Sequence, residues 1–219
     1  MSLLPPSLPT FVPDERYTLE QWQAIEESTG RRYEFHDGRL VSVEAMAGGS
    51  YLHSVLGSNL SHAVLTAFEA DDKRHGRCSV ASSDLRIAVD GGTRYLYADA
   101  VVVCGEPEYD QWLGSGAPST HCLASAVVNP VVVFEVLSPS SEGYDRGRKF
   151  EFYGRLASLR EYVLVEQDAR RVEVRHRPDA GSPWRYTTVT EVDESVSLPS
   201  LDVALPLARV YRGWRPPES

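Results

Sequence analysis

The chain has 219 residues, 42% of them hydrophobic, which is enough to bury one sizeable core, so a single domain is expected. Its 31 Asp and Glu residues outnumber its 22 Lys and Arg residues, and the formal net charge of -9 excludes a global basic field that would hold nucleic acid or an anionic membrane non-specifically. A nuclease is not excluded, because a metal site itself concentrates carboxylates and a few cations in one groove are enough to contact phosphate.

Cysteine usage and the N-terminal segment indicate the compartment. Cys78, Cys104 and Cys122 are an odd number without a CxxC pair, so neither a disulfide framework nor a zinc cage is expected. The N-terminus has no cationic stretch leading into an apolar core, and no run reaches the roughly 18 apolar residues of a membrane span. We therefore expect a soluble cytoplasmic protein in a reducing environment, without a membrane partner.

The first part of the chain predicts an arm followed by a helix. Residues 1–16 are rich in proline, a composition that cannot hold a helix and predicts a flexible arm, so the domain is expected over 17–219. Thr18 and Gln21 form a capping-box pattern for a helix that runs to Ser28.

A hairpin, a long helix and a strand are predicted next. Asp-Gly within the turn 36–39 supplies the positive backbone angles of a tight hairpin between 32–35 and 40–43. Apolar residues at three- and four-residue intervals predict an amphipathic helix over 50–70. Alternation over 84–89 predicts a strand that is exposed on one face.

Two apolar, β-branched runs predict central strands covered on both faces, at 97–104 and 131–137. The insertion between them, 105–125, is expected to be a surface loop. The remaining predicted elements are a helix over 145–156 and a hairpin of 161–166 with 171–176. This order predicts an α/β (mixed α+β) fold, with a central mixed sheet flanked by helices.

Two carboxylates, Asp99 and Glu135, interrupt these most apolar strands. Burying an ionised carboxylate without a partner costs several kcal/mol, so each needs a cation, a hydrogen-bond network or a raised pKa. If the two strands are neighbours in a suitable register, the carboxylates converge. Such a pair suits Mg²⁺, which is typically held by one or two carboxylates and a phosphate oxygen.

A cation follows on the next predicted helix. Asp145 and Lys149 are four residues apart and share a helix face, so Lys149 is able to lean back toward the carboxylate pair. A lysine there orients or helps to deprotonate the attacking water and stabilises charge on the phosphoryl oxygens.

The segments RYEFHDGRLV, SYLHSVLGSNL, YADAVVV, VVVFEVLSPSS and DRGRKFEFYGR together resemble the Uma2 family, over roughly residues 15–212. That family is placed in the PD-(D/E)XK nuclease superfamily. The resemblance implies a restriction-endonuclease-like core and a Mg²⁺- or Mn²⁺-dependent endonuclease that hydrolyses DNA phosphodiester bonds. It makes Asp99 the motif aspartate, Glu135 the second acid and Lys149 the lysine, since position 137 is Leu.

Further positions match the family with less specific roles. Glu34, His53, Ser138 and Asp145 are expected to surround the site or to add ligands, and Arg146 with Arg148 is the candidate for phosphate contact. Superfamily members frequently pair to address two strands, so a homodimer is a further expectation.

Structural alternatives stand beside each assignment. In a purely structural role, Glu135 would pair with an arginine in the sheet, and Asp99 would cap a turn or pair with Arg94. Lys149 would pair with Asp145 on a solvated helix face. The corresponding alternatives for the other positions are a satisfied histidine at His53, an exposed strand position at Glu34 and a helix cap at Ser138.

Two other functions are compatible with these residues. The first is a binding or regulatory module that keeps the nuclease scaffold but has little or no hydrolytic activity, which the acidic balance favours. The second is an enzyme acting on small phosphorylated substrates.

Overall fold

The computed structural model describes residues 11–43, 50–70, 77–110 and 126–215. The helices are α1 (Leu19–Thr29), α2 (Tyr51–Glu69), α3 (Glu142–Tyr144), a π-helical turn (Asp145–Lys149), α4 (Phe150–Tyr153) and α5 (Leu207–Val210). The strands are β1 (Tyr33–His36), β2 (Arg39–Ser42), β3 (Cys78–Ser82), β4 (Arg86–Val89), β5 (Arg94–Tyr97), β6 (Ala100–Cys104), β7 (Ala126–Val127), β8 (Val132–Leu137), β9 (Glu161–Glu166), β10 (Val172–His176), β11 (Arg185–Val189), β12 (Ser195–Leu198) and β13 (Val203–Pro206).

The strands of the described ranges form three sheets. A six-stranded sheet has the order β11-β10-β9-β8-β6-β3, a five-stranded sheet has the order β2-β1-β5-β4-β7, and β12 pairs with β13. The two larger sheets are mixed, because β8 runs parallel to β9 and β4 parallel to β7. The mixed α+β class is thus confirmed, although the strands divide among several sheets where one was expected.

The capping box of the first helix and the turn of the first hairpin are present as predicted. Thr18 and Gln21 form the capping box of α1, with each side chain bonded to the other residue's backbone. The hairpin of β1 and β2 turns at Asp37 and Gly38, which have φ angles of 51° and 90°. The first ten residues of the predicted arm lie outside the described ranges.

A buried ionic cluster fixes α1 on the five-stranded sheet. Arg86 donates to Glu26 and to the Tyr97 hydroxyl, which in turn donates to Glu26 at 3.0 Å. Glu26 also accepts the Tyr33 backbone N–H at 2.7 Å. Because these polar groups satisfy one another, the cluster is a structural anchor at the start of the chain segment that leads into the site.

The six-stranded sheet is covered on both faces, as its apolar central strands require. One face packs against α2 and the C-terminal elements through residues that include Leu56, Leu60, Val132, Phe134 and Val136. The other face packs against α4 and the five-stranded sheet through residues that include Val101, Val133, Leu137, Phe152 and Ile87.

Three predicted elements differ from the structure. The strand predicted over 84–89 begins at Arg86 and is buried on both faces, because Ile87 packs with the six-stranded sheet and Ala88 packs with α1. The run 97–104 breaks between β5 and β6, which belong to different sheets. The helix predicted over 145–156 begins earlier, at Glu142, and contains the π-helical turn. Of the predicted loop 105–125, residues 111–125 lie outside the described ranges.

The cysteine prediction was wrong, because Cys78 and Cys104 form a disulfide. The two residues lie directly opposite each other on the antiparallel strands β3 and β6, with Cα atoms 4.0 Å apart. Register between strands, which spacing along the chain does not reveal, brings them together. Separately, none of the helices described here has the length and apolar character that crossing a bilayer demands.

We expect the disulfide to contribute substantially to stability, because it closes a loop with a sequence separation of 26 residues. Closure of a loop of this length removes denatured-state entropy worth about 3 to 4 kcal/mol. The double variant Cys78→Ala/Cys104→Ala should lose roughly that much free energy of unfolding in urea denaturation without reductant.

The matched control is reductant. It should shift the urea midpoint of the native protein toward that of the double variant and leave the double variant unchanged. Equal midpoints for the two proteins under non-reducing conditions would contradict the expected contribution.

Candidate active site

Glu135 is a buried acid on the central strand β8, with 3% of its surface exposed. Alternation along the strand sends its side chain to the same face as Val133 and Leu137. On this face the π-helical turn Asp145–Lys149 supplies a partner, and Glu135 Oε1 lies 2.9 Å from Lys149 Nζ. The cation beside Glu135 is therefore a lysine, whereas the structural alternative was an arginine of the sheet.

Lys149 is buried among carboxylates. Its Nζ lies 2.9 Å from Glu135 Oε1, 3.5 Å from Glu34 Oε1 and 3.5 Å from Asp145 Oδ1. Only 8% of the side chain is exposed. The alternative of a solvated helix face is thus wrong, although the pairing with Asp145 exists within the larger cluster.

Glu34 approaches the Lys149 ammonium from β1. It is fully buried on β1, so it is not an exposed strand position. Its Oε2 accepts the Tyr144 hydroxyl at 2.5 Å and the His36 Nε2 at 3.0 Å. These two donors fix the carboxylate while its other oxygen faces Lys149.

Asp99 lies in the break between β5 and β6, where the chain passes from one sheet to the other. Its backbone N–H donates to Phe134 O at 3.1 Å, and its Oδ2 accepts the Val136 N–H at 2.6 Å. The carboxylate thus replaces the backbone acceptor that the departing strand no longer offers to β8. Asp99 therefore does cap a local backbone group, whereas Arg94 pairs with Asp37 and Asp90 instead.

His53 approaches Asp99 from the first turn of α2. Its Nε2 lies 3.3 Å from Asp99 Oδ2. Ser50 caps the helix by accepting the His53 N–H at 3.0 Å. This bond fixes His53 in the first turn of α2, from which its imidazole extends toward Asp99. Burial alone would lower the pKa of His53, but the hydrogen bond and the charge of Asp99 outweigh burial and raise the pKa.

An open cavity of about 570 Å³ joins these residues. Asp99, Glu135, Asp145, Lys149 and His53 all contribute to its lining. The other lining residues are Arg32, Val43, Ser54, Gly57, Ser58, Ser61, Ser82, Ser83, Tyr97, Ala98, Val136 and Ser141. The three residues predicted to form the catalytic set thus share one cavity.

Carboxyl groups outnumber cations in this cluster. Burial raises the pKa of Glu135 well above its ordinary value; Lys149 opposes the rise, and the charges of Asp145 and Asp99 add to it. Burial likewise raises the pKa of Asp145 against the opposing charge of Lys149. One ammonium therefore does not compensate the surrounding carboxylates.

The protonation of Lys149 and Glu34 follows from the same charges. Burial would lower the pKa of Lys149, but Glu135, Glu34 and Asp145 together raise it well above its ordinary value. Burial would raise the pKa of Glu34, yet Lys149, His36 and Tyr144 outweigh burial and lower it. Lys149 is thus held as a cation and Glu34 as an anion.

The donor set fits a hard divalent cation held by two carboxylates. Asp99 and Glu135 line the same cavity, and Asp99 is near enough for its charge to affect Glu135. Across the described residues, no cluster of three or more His, Cys, Asp or Glu side chains is arranged to hold a metal. That result is compatible with Mg²⁺, which typically takes one or two carboxylates and fills its remaining positions with waters and substrate phosphate.

The remaining predicted positions lie outside the cavity lining. Ser138 accepts the Ser141 N–H at 3.2 Å, within the turn that precedes α3. Arg146 pairs with three carboxylates, those of Glu142, Glu166 and Glu173. Arg148 is exposed, with its Cζ 5.5 Å from the ring centroid of Phe152.

Sequence reasoning missed two side chains of the cluster, His36 and Tyr144. His36 follows Glu34 by two residues on β1, so the period of a strand already placed both on one face. His36 also falls within the predicted turn 36–39, so its place on the face of the strand was not predicted. Tyr144 carried no comparable signal, since only the tertiary fold brings it within 2.5 Å of Glu34.

Comparisons with known proteins agree with this architecture. The family model of Uma2, described as "Putative restriction endonuclease", matches residues 17–208. Two uncharacterized proteins of Synechocystis sp. are similar: slr1290 is 28% identical over 92% of this chain and 94% of its own length, and sll1609 is 32% identical over 71% and 78%.

A solved structure shares the fold. The crystal structure described as "a putative nuclease belonging to DUF820", from Anabaena variabilis, superposes with a TM-score of 0.62 at 16% identity, covering 85% of this chain and 92% of that one.

The raised pKa of Glu135 makes stability depend on pH with a defined sign. Below pH 4.5, the ordinary pKa of a glutamate, the carboxyl is protonated in both the folded and the unfolded state, so its titration does not change stability. As pH rises toward the folded-state pKa, the unfolded chain loses the proton first, so the native protein loses stability. We expect Glu135→Gln to remove this loss, so its stability advantage in EDTA is larger at pH 8 than at pH 5. The advantage grows by about 1.4 kcal/mol for each unit by which the folded-state pKa of Glu135 exceeds its unfolded-state pKa.

Urea unfolding at the two pH values measures this difference. Glu151→Gln, which removes an exposed carboxylate of α4, is the control and should leave the pH dependence unchanged. A Glu135→Gln advantage that is the same at pH 5 and pH 8 would show that the buried carboxyl is not perturbed in this way.

Proposed function

Because the chain belongs to the Uma2 family, we propose that it is a divalent-metal-dependent endonuclease that hydrolyses phosphodiester bonds of DNA, with Asp99, Glu135 and Lys149 as its catalytic residues. One observation carries the proposal: carboxyl groups from separate elements meet around one buried ammonium beside an open cavity, and they outnumber it. A divalent cation and the phosphate that it binds are the partners that such a cluster accepts.

Asp99 and Glu135 would hold the cation. Mg²⁺ or Mn²⁺, when bound, supplies Lewis acidity that eases deprotonation of water and offsets negative charge on the phosphoryl group. Asp99 is fixed for this task, since the Val136 N–H and His53 hold its Oδ2. Glu135 is fixed from the protein side by Lys149.

Lys149 would act through its charge. Its raised pKa keeps the ammonium protonated at neutral pH, which argues against its acting as the base in this state. A protonated lysine beside the scissile phosphate orients the attacking water and stabilises charge that builds on the phosphoryl oxygens. Glu34 is then a positioning residue, because it holds the ammonium without facing the substrate itself.

We expect the purified protein to nick or linearise plasmid DNA with Mg²⁺ or Mn²⁺ and not in EDTA. Lys149→Met should lower the rate on the order of 100- to 1,000-fold, because it removes a preorganised charge from the reacting group. Asp99→Asn and Glu135→Gln should lower it at least as far and also weaken binding of the cation in calorimetry.

Glu151→Gln is again the control and should cleave at the native rate. Cleavage that persists unchanged in Glu135→Gln would contradict the assignment, as would inactivity with every divalent ion tested. Binding of no divalent ion would favour a non-catalytic module, and hydrolysis of short phosphodiesters but not of DNA would favour small phosphorylated substrates.

A further inference from the structure

One wall of the cavity is lined with hydroxyl groups. Ser54, Ser58 and Ser61 lie at helical spacing on α2, and Ser82 with Ser83 lies at the end of β3. Ser54 and Ser58 are exposed. Serine hydroxyls are common partners of backbone phosphate oxygens in protein–DNA complexes, and they present no charge that repels a phosphate.

Arg32 stands at this wall, ahead of β1. Its Nη1 donates to the Ser83 carbonyl oxygen and to Asp84 Oδ1, the latter at 3.2 Å, and its Cζ lies 5.8 Å from the ring centroid of Tyr97. Both hydrogen bonds to the described residues use Nη1. The other edge of the guanidinium, Nε with Nη2, has the forked geometry that binds two oxygens of a phosphate at once.

Asp84 offsets the positive charge of Arg32 only weakly. The Asp84 side chain is 85% exposed and that of Arg32 is 35% exposed, so water screens the pair. Such a pair exchanges readily for a phosphate, which offers two oxygens to the fork. The Ser83 carbonyl meanwhile keeps the arginine in place, so little side-chain entropy is lost on binding.

Lys149 is not able to serve this purpose. Among the described residues that line the cavity, Arg32 and Lys149 are the permanently charged cations, and His53 lies against Asp99. Carboxylates from three elements surround Lys149 at the buried end. A strand whose scissile phosphate lies at Lys149 therefore meets its next cation of the lining at Arg32.

We propose that Arg32 binds a backbone phosphate of the nucleic-acid strand other than the phosphate that is cleaved, and that the hydroxyls of Ser54 and Ser58 contact the same backbone. This inference rests on the proposed function, because it assumes that the same cavity receives the strand. It also accounts for an acidic nuclease, since one held arginine and neutral hydroxyls contact the backbone without a basic field.

Binding without metal tests the inference. Fluorescence anisotropy with a labelled single-stranded oligothymidylate in EDTA should show that Arg32→Gln weakens binding on the order of tenfold. The slope of log affinity against log salt should fall by about 0.7, the value for one phosphate contact on a single strand. Arg32→Lys should keep the slope and recover only part of the affinity, because it retains charge and loses the fork.

The hydroxyls have their own test. Ser54→Ala/Ser58→Ala should weaken binding a few-fold while leaving the fold at least as stable, since alanine is the better helix former at exposed helical positions. Folding is thereby separated from binding. Thr66→Ala, further along α2 and outside the cavity lining, should bind like the native protein.

Matched controls isolate the phosphate contact. Arg39→Gln removes an exposed arginine that does not line the cavity and should leave affinity and slope unchanged. An oligonucleotide with an uncharged methylphosphonate backbone should bind the native protein and Arg32→Gln equally. Native affinity and slope in a folded Arg32→Gln variant would overturn the inference, and so would native protein that fails to bind the oligothymidylate.

The two proposals fail in distinguishable ways. If Arg32 contributes to binding in EDTA while no divalent ion supports cleavage, the endonuclease proposal fails and the phosphate contact stands. If DNA is cleaved and Arg32→Gln changes neither oligonucleotide binding nor KM, the endonuclease proposal stands and the phosphate contact fails.

Discussion

The buried ammonium of Lys149 is the interaction on which the site depends. Glu135, Glu34 and Asp145 come from a central strand, an edge hairpin and a π-helical turn, and Lys149 lies within 3.5 Å of each. Buried carboxylates at this density repel one another, so removal of the lysine would leave several uncompensated charges in the interior. Even with the lysine in place, the pKa of Glu135 stays raised. The cluster therefore holds more carboxyl groups than its own ammonium balances, and a proton or a metal ion is needed for the rest.

The two large sheets make this arrangement possible. The six-stranded sheet places Glu135 on a face covered by the helical segment that carries Lys149, and the five-stranded sheet brings Glu34 to the same place. Asp99 marks the point where the chain crosses from one sheet to the other, and its carboxylate replaces the lost backbone acceptor for Val136. The same residue thus terminates a ladder of hydrogen bonds and faces the cavity. A structural role and a role toward a ligand are compatible here, because a carboxylate has two oxygens.

Local patterns predicted what depends on neighbours in sequence. The apolar run around Glu135 marked this residue as an anomaly, and the capping box and the Asp-Gly turn were correctly placed. The fold class and the family were also confirmed. What depends on strand register was not predictable from spacing: the Cys78–Cys104 disulfide and the break at Asp99 both arise from which strands pair. The sequence left open whether Glu34 is exposed or lies beside the site, because a short hairpin strand does not reveal what covers it.

The central claim is that Asp99 and Glu135 share one divalent cation beside Lys149. Anomalous diffraction from crystals soaked in Mn²⁺ tests it most directly, because the signal locates the ion independently of any activity. We expect an anomalous peak in the cavity that lies within bonding distance of an oxygen of both carboxylates in the native protein and disappears in Glu135→Gln. A peak elsewhere, or none in the native cavity at saturating Mn²⁺, would contradict it.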